Sequence, residues 1–396
     1  MRSKLKELEI SEKIKVDKAD ELCGIGWLRS KVYQTVLNSD AKRYTLVDLF
    51  CGCGGLSLGV REALRVNGFA LDIMLAVDNN SYALEVYKRN FGVSDKTLLN
   101  IDISTLLPSD VGKPLCESEK DINERFTGVD IVVAGPPCQG YSNLNNHTRG
   151  KDPKNKLYLK VIRFAEITQP KAIIIENVAT IIYDKNNVVS QAEELLEEMG
   201  YTVMQFVIEA DKLGIPQTRK RHILVAVRQQ KIEIGDVFSY NLEKVSILSD
   251  FIYDLVDECE ISKGIFYTPS AMSNDNKRRV SYLFDNDLYD LPNSERPSCH
   301  RNKKHKYVAV YGRLHWNKPA PTITGGFGSM GQGRFIHPLK PRVITAHEAA
   351  RIQGFPDFFD FTSVPYRNTL YEIIGNAVPP KISALAINAL VRLNYL

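Results

Sequence analysis

No stretch of this chain approaches the ~18 consecutive apolar residues that a membrane-crossing helix needs. The opening residues, Met1 to Lys6, carry no apolar signal-peptide core. Cysteine is sparse: seven in 396 residues, with no repeated spacing. That excludes a disulfide framework of the kind that holds small secreted domains, and reduced thiols fit an intracellular protein. Cys51 and Cys53 flank one glycine, and no His/Cys pair nearby completes a zinc pattern, so no metal is expected. A strong excess of one charge is missing too. Lys and Arg total 51 against 47 Asp and Glu, and the net +4 is too small for bulk charge to announce a nucleic-acid partner. What remains is ordinary for a globular protein, with 44% hydrophobic and 25% charged residues. The length suits two domains, or one large α/β domain with a smaller one inserted.

From Tyr44 the chain alternates strand and helix patterns. Tyr44–Phe50 reads as a strand, the glycine-rich Cys51–Gly55 as a turn, and 56–66 as a helix. Leu71–Val77 is a second strand, ending at Asp78, and 81–90 a helix. Further strands are expected at 129–134, 172–175, 202–208 and 223–227, with helices at 157–167 and 189–199. Such alternation predicts a doubly wound, largely parallel sheet over 44–228. After Arg228 the pattern turns irregular and polar. It carries Lys277-Arg278-Arg279, and five Lys/Arg without an acid from Arg296 to Lys306. Residues 229–374 read as a second, less regular domain. Helical periodicity returns at 382–393, so 375–396 is expected to rejoin the first domain. Residues 1–43 are charged and hold no recognisable motif. They are either an extension packed on the core or a small regulatory DNA-binding element.

Several short motifs carry chemistry. Gly135-Pro136-Pro137-Cys138-Gln139-Gly140 follows a β-branched apolar run. Two prolines end the strand and stiffen the turn. They set the Cys138 thiol at the edge where open α/β sheets place ligands. Cys138 is a candidate nucleophile, or else a small buried residue. The first glycine turn, Phe50-x-Gly52-x-Gly54-Gly55, is neither G-x-G-x-x-G nor a Walker loop. Asp78 is placed to hold ribose hydroxyls, and Asp102 to accept from an adenine amino group. Each could equally be a helix cap. Together they suggest an adenosine-bearing cofactor. The missing pyrophosphate motif favours S-adenosylmethionine over NAD. Glu176 ends an all-apolar run, either as a solvated cap or as a carboxyl kept protonated by partial desolvation. Arg219 and Arg221 are either a surface pair or planar donors for a phosphate or base carbonyl. The glycine-rich 325–334 segment is either a surface loop or a flexible one that follows a DNA backbone.

The order of these motifs resembles the DNA (cytosine-5)-methyltransferases, from Tyr44 to Leu396. Asp48-Leu49-Phe50-x-Gly52-x-Gly54-Gly55 is similar to that family's first cofactor motif, and Gly135 to Ser142 to its nucleophile loop. Glu176-Asn177-Val178 and Gln217-x-Arg219-x-Arg221 resemble its other active-site motifs. Pro321 to Thr324, then Arg342-x-x-Thr345-x-x-Glu348-x-x-Arg351-x-Gln353-Gly354-Phe355-Pro356, and Gly375-Asn376-Ala377-Val378-Pro379-Pro380 resemble its late motifs. The resemblance implies a Rossmann-like methyltransferase domain with a smaller, irregular target-recognition domain, in which 229–312 chooses the DNA sequence. It implies Cys138, Glu176, Arg219 and Arg221 as catalytic residues. It implies S-adenosylmethionine held around Asp48, Phe50, Gly52, Cys53, Gly54, Gly55, Asp78, Asn79, Asp102, Ile103, Pro137, Leu157, Asn376 and Ala377. Double-stranded DNA would meet Gln139, Ser142, Arg301, Lys303, Lys304 and Lys306. The expected protein is a monomeric, cytoplasmic, nucleoid-associated enzyme of a prokaryotic restriction–modification pair, with a cognate endonuclease that it need not touch. An RNA cytosine-5 methyltransferase of the same fold and a silent DNA-binding paralogue are the alternatives. The sizeable segment between Arg228 and Arg313 favours DNA over RNA.

Overall fold

The structure is a computed structural model that describes residues 22–35, 40–137, 157–184, 186–228, 246–301 and 309–396. Its centre is a seven-stranded sheet built from β1 (Arg43–Leu49), β2 (Ala70–Asp78), β3 (Leu98–Asn100), β4 (Ile131–Ala134), β5 (Ala172–Val178), β6 (Thr202–Glu209) and β8 (Lys220–Val227). The strand order is β3-β2-β1-β4-β5-β8-β6. From β3 to β5 every pairing is parallel, and β8 runs antiparallel between β5 and β6. A second, two-stranded sheet pairs β7 (Gln217–Thr218) with β9 (Ala320–Pro321) in parallel. The chain leaves β1 toward β2 on one side and β4 lies on the other. That reversal opens a crevice at the strands' C-terminal ends.

The central strands are apolar because both faces of the sheet are covered. One face presents Val47, Leu49, Val132, Ala134, Ile173 and Ile175 to a core that includes Ile122, Val161, Ile162 and Leu196. The other presents Leu46, Ile131, Val133, Ile174, Ile223 and Val225 to Leu56, Val60 and Leu64 and to Ile382, Leu385 and Leu390. The last two groups lie on helices Gly55–Val66 and Pro380–Arg392. The helix Pro380–Arg392 therefore packs on the seven-stranded sheet beside the helix Gly55–Val66. By composition Arg367–Arg392 could pass as a membrane-crossing helix, yet 67% of its apolar window is buried inside the protein. It is two core helices, Arg367–Asn376 and Pro380–Arg392, meeting at Pro379.

The part of the chain beyond Arg228 is more helical than expected among its described residues. It contains Asn274–Asp285, Ala346–Ile352 and Arg367–Asn376, the last running through position 375. Its main core joins Leu248, Phe251, Phe327, Phe355, Phe361 and Ile374 to Leu28, Leu58, Ala83 and Val86 of the first domain. The glycine-rich segment is packed rather than loose. Phe327 is fully buried, a Cβ on Gly328 would lie 1.9 Å from the Tyr371 ring, and one on Gly333 would lie 2.5 Å from Phe335. Those glycines let backbone approach aromatic rings, which corrects the reading of this loop as flexible.

Candidate active site

The first cofactor-side turn is held by strain and by backbone donors. Phe50 takes a left-handed φ of 58°, uncommon for a residue with a side chain. Gly52 has φ 51° with open space where a Cβ would stand, and its N–H donates to Asp78 Oδ2 at 2.9 Å. Asp78 Oδ1 accepts from Asn80 N at 2.9 Å, and burial raises its pKa against those bonds. Asn100 Nδ2 donates to the Asp78 carbonyl, which ties the end of β3 to the end of β2. Gly54 (φ 94°) has no room for a side chain, since a Cβ would lie 2.4 Å from Phe91. Gly55 is closed by the chain itself, with the Val378 carbonyl oxygen 2.1 Å from a notional Cβ. Cys53 sits in the hydrophobic core with its thiol pushed up to about 12 by burial, so only its backbone faces the turn. Asn79 is exposed. Asp102 is exposed and caps the Ile103–Leu106 helix through Ser104 N at 2.8 Å, while Ile103 is buried beneath it.

Below this turn lies a buried polar triad. Asp48 is fully buried, and its Oδ2 accepts from Ser57 Oγ at 2.6 Å. Ser57 Oγ is also 2.8 Å from the Tyr87 hydroxyl. Asp48 Oδ1 has no hydrogen-bond partner among the described residues. Burial pushes the Asp48 pKa up to about 8, against the Ser57 hydrogen bond. A carboxyl in that state prefers to be neutral until a positive charge approaches. A glycine turn over an acid that lacks one partner, beside a second acid at the next strand end, fits an adenosine-bearing ligand with cationic groups.

The opposite half of the crevice carries the acid and the arginines. Glu176 lies inside β5, not on a helix cap, and is 7% exposed. It faces Arg221 across the β5–β8 ladder, where Arg221 Nε stands 2.6 Å from Glu176 Oε1. Arg219 is 3% exposed, so the surface-pair reading of these arginines is overturned. Burial lowers the Arg219 pKa to about 9, with repulsion from Arg221 second. Its Nη1 reaches only the Gly375 carbonyl, at 3.5 Å, and its Nε has no partner among the described residues. Asn177 Nδ2 donates to the Pro136 carbonyl at 3.1 Å, tying the Glu176 strand to the turn that leads to Cys138. Pro137 and Leu157 are half-buried on either side of a segment outside the described residues, which holds Cys138, Gln139 and Ser142. Lys303, Lys304 and Lys306 are outside them as well. Arg301 is exposed, and its guanidinium donates to the carbonyls of Ser294 and Arg296. Asn376 is exposed next to buried Ala377.

One edge of the sheet thus gathers Phe50, Gly52, Asp78, Pro136, Glu176, Arg219 and Arg221. The expectations above quoted Asn177, Gln217 and Gln353 only as parts of motifs, without a role of their own, and did not name Ser57. Gln217 could have been suspected: it alternates with Arg219 and Arg221, and buried alternation is what a strand edge produces.

The model of the C-5 cytosine-specific DNA methylase family matches residues 44–392. The type II methyltransferase M1.BsuMI of Bacillus subtilis is 45% identical over 92% of this chain and 84% of its own length. The type II methyltransferase M1.HphI of Haemophilus parahaemolyticus is 30% identical over 88% and 87%. Among solved structures, the Dnmt2 methyltransferase of S. pombe shares the fold with a TM-score of 0.63 at 21% identity, over 89% of this chain and all of that one.

Proposed function

This chain belongs to the C-5 cytosine-specific DNA methylase family and is a DNA (cytosine-5)-methyltransferase, and from that premise we propose the residues and steps of its reaction. The observation that carries the reading is the Glu176–Arg221 pair at 2.6 Å, joined by Asn177 to the Pro136-Pro137 turn. An acid, two guanidiniums and the turn that precedes Cys138, met at one edge of the sheet, support it.

Cytosine carbon 5 is a weak nucleophile. The Cys138 thiolate adds to carbon 6 and turns the ring into an enamine. Glu176 holds or shares the proton at N3, which neutralises charge developing on the ring. Arg221 grips the cytosine O2 while it orients Glu176. Arg219, buried without a carboxylate of its own, organises the turn or takes a phosphate. S-adenosylmethionine supplies an electrophilic methyl on a sulfonium when it is bound. Asp78 would hold its ribose hydroxyls, Phe50 would meet its adenine, and Asp102 would accept from the adenine amino group. Asp48 would set the charge beneath it. Once carbon 5 is methylated, loss of its proton and of the Cys138 sulfur restores the aromatic ring. The target base must leave the stack to reach these groups, at a cost of a few kcal/mol.

Residues 229–312, with the basic residues Arg301, Lys303, Lys304 and Lys306, would supply phosphate contacts and sequence readout. The type II names of the relatives support a role in protecting host DNA beside a restriction endonuclease, and we propose that the enzyme acts as a monomer in the cytoplasm, at the nucleoid. Two experiments test the reading. DNA carrying 5-fluorocytosine at the target should form a covalent adduct with the wild type and none with Cys138→Ser. Cys138→Ser retaining activity within about tenfold would remove Cys138 from the mechanism, since losing the covalent step should cost far more. Exchanging 229–312 for a relative's segment should move methylation to the relative's site. A hybrid that folds but still marks the original sequence would place specificity elsewhere.

A further inference from the structure

Behind the catalytic arginines two glutamines are buried against each other, both fully inaccessible. Gln217 lies on β7, just ahead of Arg219. Its Nε2 donates to Gln353 Oε1 at 2.9 Å, and its Oε1 accepts from the Ile323 N–H at 3.1 Å. Gln353 closes the Ala346–Ile352 helix. Its Nε2 donates to the Ile374 carbonyl at 2.7 Å and points to those of Gly375 and Ala377 at 3.4 Å. The direction of this chain is fixed by its ends. Carbonyls on one side demand the Gln353 amino group, and the Ile323 N–H on the other demands the Gln217 oxygen. Flipping either amide would set like against like in a dry interior.

Both ends of the pair touch functional ground. Ile323 belongs to the second domain, in a segment that β9 also pairs to β7. Gly375 meets the backbone of Thr324 and Gly325 so closely that a Cβ would lie 2.2 Å from it, and its carbonyl is the one Arg219 reaches. Val378, just beyond, presses its carbonyl on Gly55 of the cofactor turn. A continuous set of contacts, through backbone from Gly55 to Val378 and Gly375 and through side-chain amides from there to Gln353, Gln217 and Ile323, therefore crosses this region.

We propose that Gln217 and Gln353 are positioning residues that carry cofactor occupancy to the arginine turn and to residues 320–325, so that a filled cofactor site orders both. This rests on the cofactor reading above. The amide pair is rigid and single-valued, so a change at 374–378 cannot be absorbed without moving Ile323 or Arg219.

Amide hydrogen exchange on the full chain, with and without S-adenosylhomocysteine, tests this without needing the DNA target. In the wild type the probe should slow exchange at Gly52, Asn80 and neighbouring amides, and also at Ile323 and its neighbours by about fivefold or more. In Gln353→Met and Gln217→Met the slowing at Gly52 and Asn80 should persist, while that at 320–325 shrinks to within about twofold. A merely structural role would raise exchange with and without the probe alike and leave their ratio intact, which would overturn the proposal. So would wild-type slowing confined to the cofactor turn. No slowing at the turn either would instead bring down the cofactor reading, and this proposal with it. Should the methionine variants fail to fold, Gln217→Glu keeps an acceptor for the Ile323 N–H and sets oxygen against Gln353 Oε1, and the same loss is expected.

Discussion

Glu176 and Arg221 are each intelligible only with the other. A carboxylate this buried is costly alone, and a guanidinium at 2.6 Å offsets that cost. Glu176→Gln keeps the shape but removes the group that handles the N3 proton. Methyl transfer should fall about 10²–10⁴-fold at unchanged DNA affinity, read as single-turnover rate against Kd. A loss in Kd alone would make Glu176 a binding residue. Asp48 gives a different kind of prediction. Its folded pKa, about 8, stands above the ordinary carboxyl value, so the native state holds a proton that the unfolded chain has released. The stability this contributes is present at low pH and is lost as pH rises through the window from ~4 to ~8. Asp48→Asn stays neutral throughout. Its Tm without cofactor should decline less than that of the wild type between those limits. Parallel Tm curves for the two proteins would show that Asp48 does not titrate there.

At the scale of elements, the first domain was legible because its signals are local. The runs Ile131–Ala134 and Ala172–Ile175 are apolar on every residue, and only a strand covered on both faces needs that. The solvated-cap reading of Glu176 fails because β5 continues through Asn177 and Val178, paired to β8 from the far side. That pairing is long-range and leaves no mark in the run itself. β3 is three residues long and escaped notice for the same reason. The helix Ala346–Ile352 was missed because it is buried all round, which erases amphipathic periodicity, whereas Arg367–Asn376 exposes a stripe at Asn368, Glu372 and Asn376 and could have been found from it. The site residues were legible through their motif order, whereas the glutamine pair was not, since its partners lie far apart along the chain. Glycine use shows how elements set one another. A Cβ on Gly59 would stand 1.9 Å from the Pro380 carbonyl oxygen, because helix Gly55–Val66 lies directly on Pro380–Arg392. Gly59→Ala should destabilise the fold by roughly 1–3 kcal/mol, whereas Gly26→Ala, which meets nothing within 4 Å, should not. Denaturant midpoints for the two variants decide this. Equal midpoints would mean the helix pair yields freely.

Across the whole molecule, residues on either side of Arg228 share a core, and the segment before the family match helps to join them. Leu22 and Cys23 are buried against the sheet core, while Leu28 is buried in the core that holds Phe251 and Phe355. Trp27 packs its ring edge-on to Phe358 at 5.7 Å, and Leu28 O accepts from Asp357 N at 2.9 Å. Lys31 pairs with Asp357 at 3.0 Å, and the Arg61 guanidinium lies 4.0 Å from the Tyr33 ring centre. Residues 22–33 therefore brace both cores while contributing none of the proposed catalytic groups. A chain shortened to begin at Asp40 should lose roughly 3–6 kcal/mol from exposing the partners of Leu22 and Leu28 alone. Its proposed active-site residues would all remain, so it should methylate DNA in the cold yet lose activity at a temperature several degrees below the wild type. Leu28→Ala should reproduce part of the loss, about 2–5 kcal/mol. If the shortened chain unfolds at the wild-type temperature, the two cores hold together without this brace, and the buried side chains of 22–33 only cover a surface that is already stable.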